Sequence, residues 1–386
     1  MVALQWGAVA ARALPLTSRA AYSESSMLAA QALQGWYNAA SGLWSTTGWW
    51  NSANCLTVLT DWASLSPPGV ESLNIPNIIS TTFNNAQRVS VTVQKTISAS
   101  GMTTSMYTIE TTDKRGFSNF INDYYDDEGW WALALIRSYD VTRQQAYLDK
   151  AESIFHDMQN GTDGTCGGGI WWSKERSYKN AIANELYLSV AASLANRIPS
   201  KKQQYTQIAK DEWAWFKRSG MINGNNLIND GLKINADGSC VNNGMQTWSY
   251  NQGVVLGGLV QLARATGDSS YLQEATAIAK AAVALLSDSN GVIHEVDKCE
   301  PDCGADGSQF KGIFVRNLHY LQQAAPQDVF RTAIQKNADS IWANDRNAQN
   351  QLGIAWTGPA DAGDGPNAST HSSAMDVIVA ALAVAS

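Results

Sequence analysis

The sequence has no long hydrophobic run and no cluster of basic residues. No stretch of about 18 consecutive apolar residues occurs in the 386-residue chain, so it offers no candidate membrane-spanning helix. Lys and Arg total 27 against 34 Asp and Glu, and they form no block. Nucleic-acid binding needs a concentrated basic surface. We therefore predict no membrane span and no nucleic-acid partner, and a neutral ligand is favoured.

Cysteine and histidine are scarce as well, with five and four residues, and no paired Cys-X-X-Cys motif occurs. We therefore predict no metal site and no cofactor. The pairing of the cysteines stays open: Cys299 and Cys303 in "CEPDC" can close a small loop, whereas Cys166 and Cys240 lie in separate glycine-rich loops and Cys55 lies in an apolar segment.

Several features favour an extracellular protein. Disulfide-compatible loops are typical of oxidising compartments, and Asn160 and Asn367 each begin an N-glycosylation acceptor sequence. Residues 1–21 hold a short apolar run without a basic start, and they are interpreted as either a weak or truncated secretion signal or a frayed first helix. The final "MDVIVAALAVAS" lacks a preceding polar spacer, so we expect a buried helix there and not a GPI tail. The sequence predicts a secreted, monomeric glycoprotein, with cell-wall association left open.

Helical segments of two kinds alternate along the chain. Six are amphipathic, at residues 25–40, 73–87, 146–159, 203–218, 271–286 and 328–344. Six others open with polar and aromatic residues and continue as small apolar residues, at 48–63, 124–140, 178–195, 248–265, 310–324 and 370–385. A helix that is apolar all round must be buried, whereas an amphipathic helix can lie outside. The alternation predicts an all-α (α/α)6 barrel that forms a single catalytic domain over residues 22–386.

One segment breaks the helical pattern. Residues 89–112, "VSVTVQKTISASGMTTSMYTIETT", are rich in β-branched residues. They predict a hairpin or a loop excursion. Such an insertion either lines the cleft or is peripheral decoration.

The polar openings of the inner helices are expected to meet at one end of the barrel. They supply flat aromatic rings together with amides and hydroxyls, for example Trp50, Asn54, Asn184 and Tyr250. Aromatic faces suit the C–H faces of a pyranose, and amides suit its hydroxyls. The sequence therefore predicts a carbohydrate-binding site at this mouth.

The stretch "YYDDEGWWALALI", residues 124–136, places adjacent carboxylates at such an opening. On a helix Asp126 and Asp127 are about 100° apart, which suits two groups flanking one bond better than a shared metal ion. Retaining glycosidases hold their two carboxyl groups about 5–5.5 Å apart. Because like charges this close do not both ionise easily, one pKa should rise while the other group stays anionic. The pair predicts an acid and a nucleophile.

Each of these features also has a structural explanation. Acidic residues are common in first helical turns because they suit the helix dipole. Tryptophan pairs are frequent in cores, and Lys311 fits a solvated or capping charge. The four histidines are too scattered for a catalytic or metal site. "CGGGIWW" is either a tight turn closed by a disulfide or a loop that carries Trp171 and Trp172 to the rim.

Linked motifs make the carbohydrate interpretation more specific. "GWWNSANCLTVLTD", "NDYYDDEGWWALA", "CGGGIWWS", "YKNAIANEL" and "WSYNQG" together resemble glycoside hydrolase family 76, the endo-α-1,6-mannanases, from about residue 36 to the C-terminus. The resemblance implies an (α/α)6 barrel and cleavage of α-1,6-linked mannan with retention. It also implies that Asp126 is the nucleophile and Asp127 the general acid/base, with Asp230 of "LINDGL" contacting the central sugar near Tyr250 and Gln252.

Residue chemistry and resemblance together predict a set of substrate-binding residues: Trp50, Asn54, Tyr125, Trp172, Asn184, Asp230, Tyr250, Asn251, Gln252 and Lys311. Three functions remain open. The first is a retaining endo-α-1,6-mannanase acting on mannan or manno-oligosaccharides, and the second is a cell-wall transglycosidase of the same family. The third, a non-catalytic mannan-binding protein, is disfavoured because both aspartates are present. The first two differ only in whether water or a sugar hydroxyl attacks the covalent intermediate.

Overall fold

The computed structural model describes residues 18–88, 90–97, 103–110 and 118–385, and its helices form two concentric rings. The inner ring consists of α2 (Trp49–Ser64), α4 (Tyr125–Thr142), α6 (Ala181–Ala195), α8 (Ser249–Thr266), α11 (Phe310–Ala324) and α13 (Ala368–Val384). The outer ring consists of α1 (Arg19–Leu33), α3 (Ile75–Ala86), α5 (Gln145–Gln159), α7 (Lys202–Ser219), α9 (Ser270–Leu286) and α12 (Asp328–Asn344). The short helix α10 (Gly304–Gly307) precedes α11.

The inner ring is closed. Each inner helix packs against the next one in the chain, and α13 packs against α2. Every residue of α6 is buried, whereas α5 buries a single face through residues such as Tyr147, Ile154 and Phe155. This contrast follows from the apolar pattern of each segment. The predicted (α/α)6 barrel is confirmed.

The N-terminal ends of the inner helices meet at one end of the barrel. The indole of Trp50 in α2 donates to Asp306 in α10, immediately before α11. The ring of Tyr250 at the start of α8 stacks on Phe310 at the start of α11, with centroids 3.8 Å apart. These contacts are possible only if neighbouring inner helices start at the same end, as the polar openings indicated.

The first helix differs from its predicted bounds. Helix α1 begins at Arg19 because the side chain of Ser18 caps it, accepting from the backbone N–H of Ala21 at 3.2 Å. It ends at Leu33, and the predicted continuation to residue 40 is a 3-10 turn followed by the short antiparallel strands β1 (Tyr37–Asn38) and β2 (Leu43–Trp44). Of the proposed signal segment, residues 1–17 lie outside the described part of the chain.

The β-branched insertion forms a hairpin. Strands β3 (Ser90–Ile97) and β4 (Thr103–Glu110) pair antiparallel, with Lys95 opposite Ser105. Helix α10 packs against β4, so the hairpin lies at the barrel end where the inner helices start. A second, shorter hairpin joins β5 (Leu232–Ile234) to β6 (Cys240–Asn242). Of the two alternatives for 89–112, a hairpin or a loop excursion, the described residues 90–97 and 103–110 show paired strands.

Four cysteines form two disulfides, Cys166–Cys240 and Cys299–Cys303, and Cys55 is a buried thiol. The first bond ties the "CGGGIWW" loop to β6. Gly168 and Gly169 of this loop are needed for space, because Cβ atoms there would lie 2.8 and 2.3 Å from the ring of Trp215. The interpretation of this segment as a tight turn closed by a disulfide therefore holds.

The two asparagines that begin N-glycosylation acceptor sequences, Asn160 and Asn367, differ in their surroundings. Asn160 is exposed, whereas the side chain of Asn367 caps α13 by accepting from the backbone N–H groups of Ser369 and Thr370. Among the helices that the structure describes, not one has the length and hydropathy of a membrane-spanning segment.

Candidate active site

Asp126 and Asp127 lie in the first turn of α4, at the barrel mouth. The preceding backbone is fixed to the glycine-rich loop, because the N–H of Tyr125 donates to the carbonyl of Trp172 at 2.9 Å. Both aspartates are buried, and the side chain of Asp127 is fully shielded. Two adjacent carboxyl groups are therefore held in one buried site.

Each aspartate has its own hydrogen-bond donor. The indole N–H of Trp172 donates to Oδ2 of Asp126 at 3.0 Å. The amide of Asn122 donates to Oδ2 of Asp127 at 2.6 Å, and the carbonyl oxygen of Asn122 accepts from the N–H of Tyr124 at 2.8 Å. A donor from a distant loop thus orients one carboxylate, and a donor from the segment before α4 orients the other.

Lys95 of strand β3 bridges the pair. Its Nζ lies 3.1 and 3.0 Å from Oδ1 and Oδ2 of Asp126 and 2.5 Å from Oδ1 of Asp127. Because one nitrogen contacts both groups, the nearest bonded oxygens of the two aspartates lie within about 5.5 Å of each other. The same nitrogen lies 4.6 Å from the ring centre of Tyr124. The insertion therefore lines the cleft and is not a peripheral decoration.

Burial raises the pKa of Asp127 to about 7. The charge and hydrogen bond of Lys95 and the amide of Asn122 oppose this rise, whereas the charge of Asp126 adds to it. Loss of solvation disfavours the ionised form of a buried carboxyl group, and a neighbouring negative charge does the same. Asp127 therefore holds a proton up to near neutral pH.

The charge of Asp126 acts on two further buried groups, Asp230 and Tyr250. Burial raises the pKa of Asp230 to about 6, a hydrogen bond from the hydroxyl of Tyr178 at 2.5 Å lowers it, and the charge of Asp126 raises it. Burial also raises the pKa of Tyr250, and the charges of Asp230 and Asp126 contribute to that shift. Asp230 and Tyr250 therefore share the electrostatic environment of the aspartate pair.

Trp50 reaches the site through Asp306. Its indole donates to Oδ1 of Asp306 at 2.9 Å, and its ring stacks on Trp130, with centroids 5.4 Å apart. The hydroxyl of Ser105, on β4, donates to Oδ2 of the same carboxylate at 2.7 Å. Asp306 therefore joins an inner helix to the hairpin.

Two residues that were predicted to bind the sugar form hydrogen bonds to the backbone of neighbouring loops. The amide of Gln252 accepts from the N–H of Ile228 at 2.8 Å and donates to its carbonyl at 2.8 Å. The amide of Asn184 forms the same two-way contact with the backbone of Ile170, at 2.7 and 3.0 Å. Both side chains are fully buried. Gln252 and Asn184 therefore each join a loop to an inner helix.

For four further residues that were predicted to bind the sugar, the contacts described below are with groups other than the aspartate pair. Lys311 donates to Glu300 at 2.6 Å and to the carbonyl of Ile354 at 2.9 Å. Asn54 accepts from Arg316 at 2.5 Å, inside the barrel. The remaining two are Tyr125, whose ring lies 5.6 Å from the ammonium of Lys174, and Asn251, which is fully buried with no hydrogen-bond partner for its amide. Helical geometry explains this outcome, because only one side of each first turn faces the mouth.

Several site residues escaped the sequence analysis. Asn122 was part of the quoted "NDYYDDEG" motif, and its position just before the helix was the available signal. Tyr178 was at a predicted polar opening but received no role. Lys95 and Asp306 gave no local signal, because a hairpin and a single-turn helix bring them to the mouth.

One group of three residues in the described part of the chain is spaced closely enough to hold a metal ion: Cys299, Glu300 and Cys303. Both of its thiols are joined in a disulfide. They are therefore not available as thiolate ligands.

Comparison with solved structures supports the fold. An α-1,6-mannanase of Salegentibacter sp., described as an inactive variant with two consecutive aspartates replaced by asparagine and in complex with α-1,6-mannotriose, superposes with a TM-score of 0.73. The match has 20% identity and covers 94% of this chain and 99% of that one. Dfg5 from Chaetomium thermophilum, in complex with glucosamine, gives a TM-score of 0.76 at 16% identity, over 95% and 92% of the two chains.

Sequence comparison gives relatives of higher identity. The mannan endo-1,6-alpha-mannosidase DFG5 of Candida albicans is 30% identical over 232 residues, which are 55% of this chain and 50% of that protein. DCW1 of the same yeast, which carries the same enzyme name, is 29% identical over 220 residues, 52% and 48% of the two chains. The chain thus spans about half the length of these relatives. The sequence profile of glycosyl hydrolase family 76 matches residues 21–386, and the chain belongs to that family.

Proposed function

We propose that the protein is a retaining, endo-acting glycoside hydrolase that cleaves α-1,6-mannosidic linkages in mannan. The observation that carries this proposal is the adjacent buried pair Asp126 and Asp127, with a single lysine nitrogen bonded to both. The bonded oxygens lie at most about 5.5 Å apart, which is compatible with retaining enzymes, whose two carboxyl groups are about 5–5.5 Å apart.

In the first step Asp126 is the nucleophile. Its carboxylate attacks the anomeric carbon from the β face and forms a β-mannosyl ester, while the bond to the glycosidic oxygen breaks. Asp127 gives its proton to that oxygen, so the leaving chain departs as a neutral alcohol. The raised pKa of Asp127, about 7, supports this role because the group is largely protonated below neutral pH.

In the second step Asp127 reverses its role. As a carboxylate it removes a proton from water, and the resulting hydroxide attacks the anomeric carbon from the α face. The ester bond to Asp126 breaks, and the product keeps the α configuration. The hydrogen bond from Trp172 to Asp126 supports the carboxylate that forms as the leaving group of this step.

The substrate assignment draws on the relatives and on the surrounding side chains. The Candida albicans relatives are named mannan endo-1,6-alpha-mannosidases, and the Salegentibacter protein is described with α-1,6-mannotriose bound. We propose that Trp172 and Tyr250 supply the aromatic rings that pack on a sugar, and that Asp230 accepts from its hydroxyls. We propose α-1,6-linked mannan or manno-oligosaccharides as the partner.

We also propose that the protein acts outside the cell as a secreted monomer, with cell-wall association as an alternative. Two disulfides support an oxidising compartment. The exposed position of Asn160 is compatible with glycosylation, whereas modification of Asn367 would require release of its helix cap.

The test is digestion of unbranched α-1,6-mannan, followed by size-exclusion chromatography and mass spectrometry. An endo-acting enzyme shortens the polymer early and releases oligosaccharides, whereas release of mannose alone contradicts the proposal. Nuclear magnetic resonance during the first turnovers should detect α products. Added mannobiose separates hydrolysis from transglycosylation, because a transglycosidase extends it. Asp123→Asn, in the same motif, is the matched control and should stay active; Asp126→Asn should not.

A further inference from the structure

The ammonium group of Lys95 occupies the center of the proposed active site but takes no part in the two chemical steps. The side chain is 2% exposed, and its nitrogen contacts both oxygens of Asp126 and one of Asp127. The rings of Tyr124 and Trp172 lie 4.6 and 5.5 Å from the same nitrogen. All these groups face the position where two carboxylates have to meet one glycosidic bond.

A bound sugar and this ammonium compete for the same place. The nucleophile has to approach the anomeric carbon to about 3–3.5 Å, and the acid has to come within hydrogen-bond reach of the glycosidic oxygen. With Lys95 docked, the oxygens that perform both tasks are bonded to the lysine. The described arrangement is therefore closed to substrate.

Besides the ammonium of Lys95, the described residues of its hairpin make further polar contacts at the barrel mouth. Ser105, directly opposite Lys95 in the strand register, donates to Asp306 at 2.7 Å. The N–H of Lys95 donates to the hydroxyl of Tyr124 at 3.3 Å. Sugar hydroxyls can replace such contacts one for one, because they both donate and accept hydrogen bonds. Undocking the hairpin therefore does not have to expose unsatisfied polar groups when a sugar enters.

We propose that Lys95 determines substrate length by filling the catalytic subsite of the free protein until a chain bound at several subsites displaces it. Contacts made by remote sugars supply the free energy that moves the lysine, which a substrate with one sugar does not have. Polymeric mannan is thereby admitted, and small mannosides are excluded. This inference rests on the proposed mannanase function.

The experiment compares Lys95→Met with the wild type on two substrates, an aryl α-mannoside with an activated leaving group and α-1,6-mannan. Methionine keeps the length of the side chain and removes its charge. We expect kcat/KM for the aryl mannoside to rise by about tenfold or more, chiefly through KM, because the variant no longer has to break a buried ion pair before it binds. On mannan, kcat should stay within about threefold, because bound polymer has already displaced the lysine.

Two further variants complete the design. Ser105→Ala loosens the hairpin at its second contact and should change the two substrates in the same direction by a smaller factor. Thr96→Ala, an exposed neighbour on the same strand, is the matched control and should change neither. Circular dichroism verifies folding, and if Lys95→Met does not fold, Ser105→Ala decides.

The possible failures are distinct. A loss of kcat on both substrates in Lys95→Met would mean that the lysine assists the chemistry, and unchanged kinetics would mean that it does not obstruct the site. Either result overturns the inference while the wild type still cleaves mannan. A folded wild type that does not cleave mannan overturns the proposed function itself, and the inference with it.

Discussion

Trp172 donates its indole N–H to Oδ2 of Asp126 at 3.0 Å, across 46 residues of sequence. The adjacent Asp127 receives its hydrogen bond from Asn122 at 2.6 Å, only five residues away. The two neighbouring carboxyl groups thus have different donors, and burial raises the pKa of Asp127 to about 7. Different surroundings thus distinguish two neighbouring side chains of the same chemical type.

Replacement of Asp127 separates the two chemical steps. An aryl α-mannoside with a good leaving group needs no proton, so Asp127→Ala should still form the mannosyl ester and then stall, because no base activates water. Azide should accelerate this variant and yield an α-mannosyl azide. Nuclear magnetic resonance of the product identifies the anomer. A β product from this variant would show that Asp127 is not the acid/base.

Replacement of Asp126 should give the opposite anomer. Asp126→Ala cannot form the ester, so even the activated substrate should turn over very slowly. Azide can only substitute for the missing carboxylate, attack the substrate directly and give a β-mannosyl azide. Asp123→Asn serves as the control, with wild-type turnover and no response to azide.

The pH profile should show the state of Asp127. Its pKa in the folded protein is raised from 3.8 to about 7. The protonated form of Asp127 is therefore present below pH 7 and is lost as the pH rises through that value. For natural mannan, kcat/KM should therefore fall on an alkaline limb near pH 7. An activated aryl mannoside should lack this limb in the glycosylation step, as pre-steady-state release of the aryl group can measure. An alkaline limb near pH 7 that persists in that step with the activated substrate would contradict the assignment.

The indole of Trp172 should contribute separately through its N–H group and its ring. Trp172→Phe keeps an aromatic face but removes the donor to Asp126, so kcat should fall by about tenfold, the equivalent of one hydrogen bond to a charged group at about 1.5 kcal/mol. Trp172→Ala should additionally raise KM. Trp213→Phe removes a comparable indole donor on the outer helix α7, where Glu274 accepts at 2.6 Å, and should leave both constants unchanged.

Chelation should not affect the reaction. A pair of carboxyl groups performs both steps without a metal ion, so activity on mannan should be equal before and after dialysis against EDTA. A large loss that added divalent cations restore would instead identify the aspartates as metal ligands.

The two disulfides should differ in their effect on stability. The Cys166–Cys240 bond closes a loop with a sequence separation of 74, and the Cys299–Cys303 bond one of 4. The chain-entropy relation gives about 4 kcal/mol for the first and about 2 kcal/mol for the second. Urea unfolding of Cys166→Ser and Cys299→Ser should reproduce that order. An equal loss in both variants would show that loop length does not control the effect.

The architecture could be predicted from the sequence because it depends on local patterns repeated many times. Helix α6 is apolar on every side and α5 on one side, and that difference alone decides which of them is buried. A hairpin or a loop excursion at 89–112 was predicted for the same reason, from its β-branched run. The adjacency of Asp126 and Asp127 is a property of the sequence itself, so the candidate pair was also found there.

The detailed composition of the site depended on contacts between distant segments. Lys95 reaches the aspartates from an inserted hairpin, and Asp306 meets Trp50 across 256 residues, so no local pattern indicated either one. Gln252 carries a polar side chain that suits a sugar, yet its position on α8 directs it to the backbone of Ile228. The sequence by itself determined which helices are buried and which two carboxyl groups are adjacent. The tertiary structure decided which side chains face the pair, because that depends on helix rotation and loop path, which the packing of the whole barrel sets.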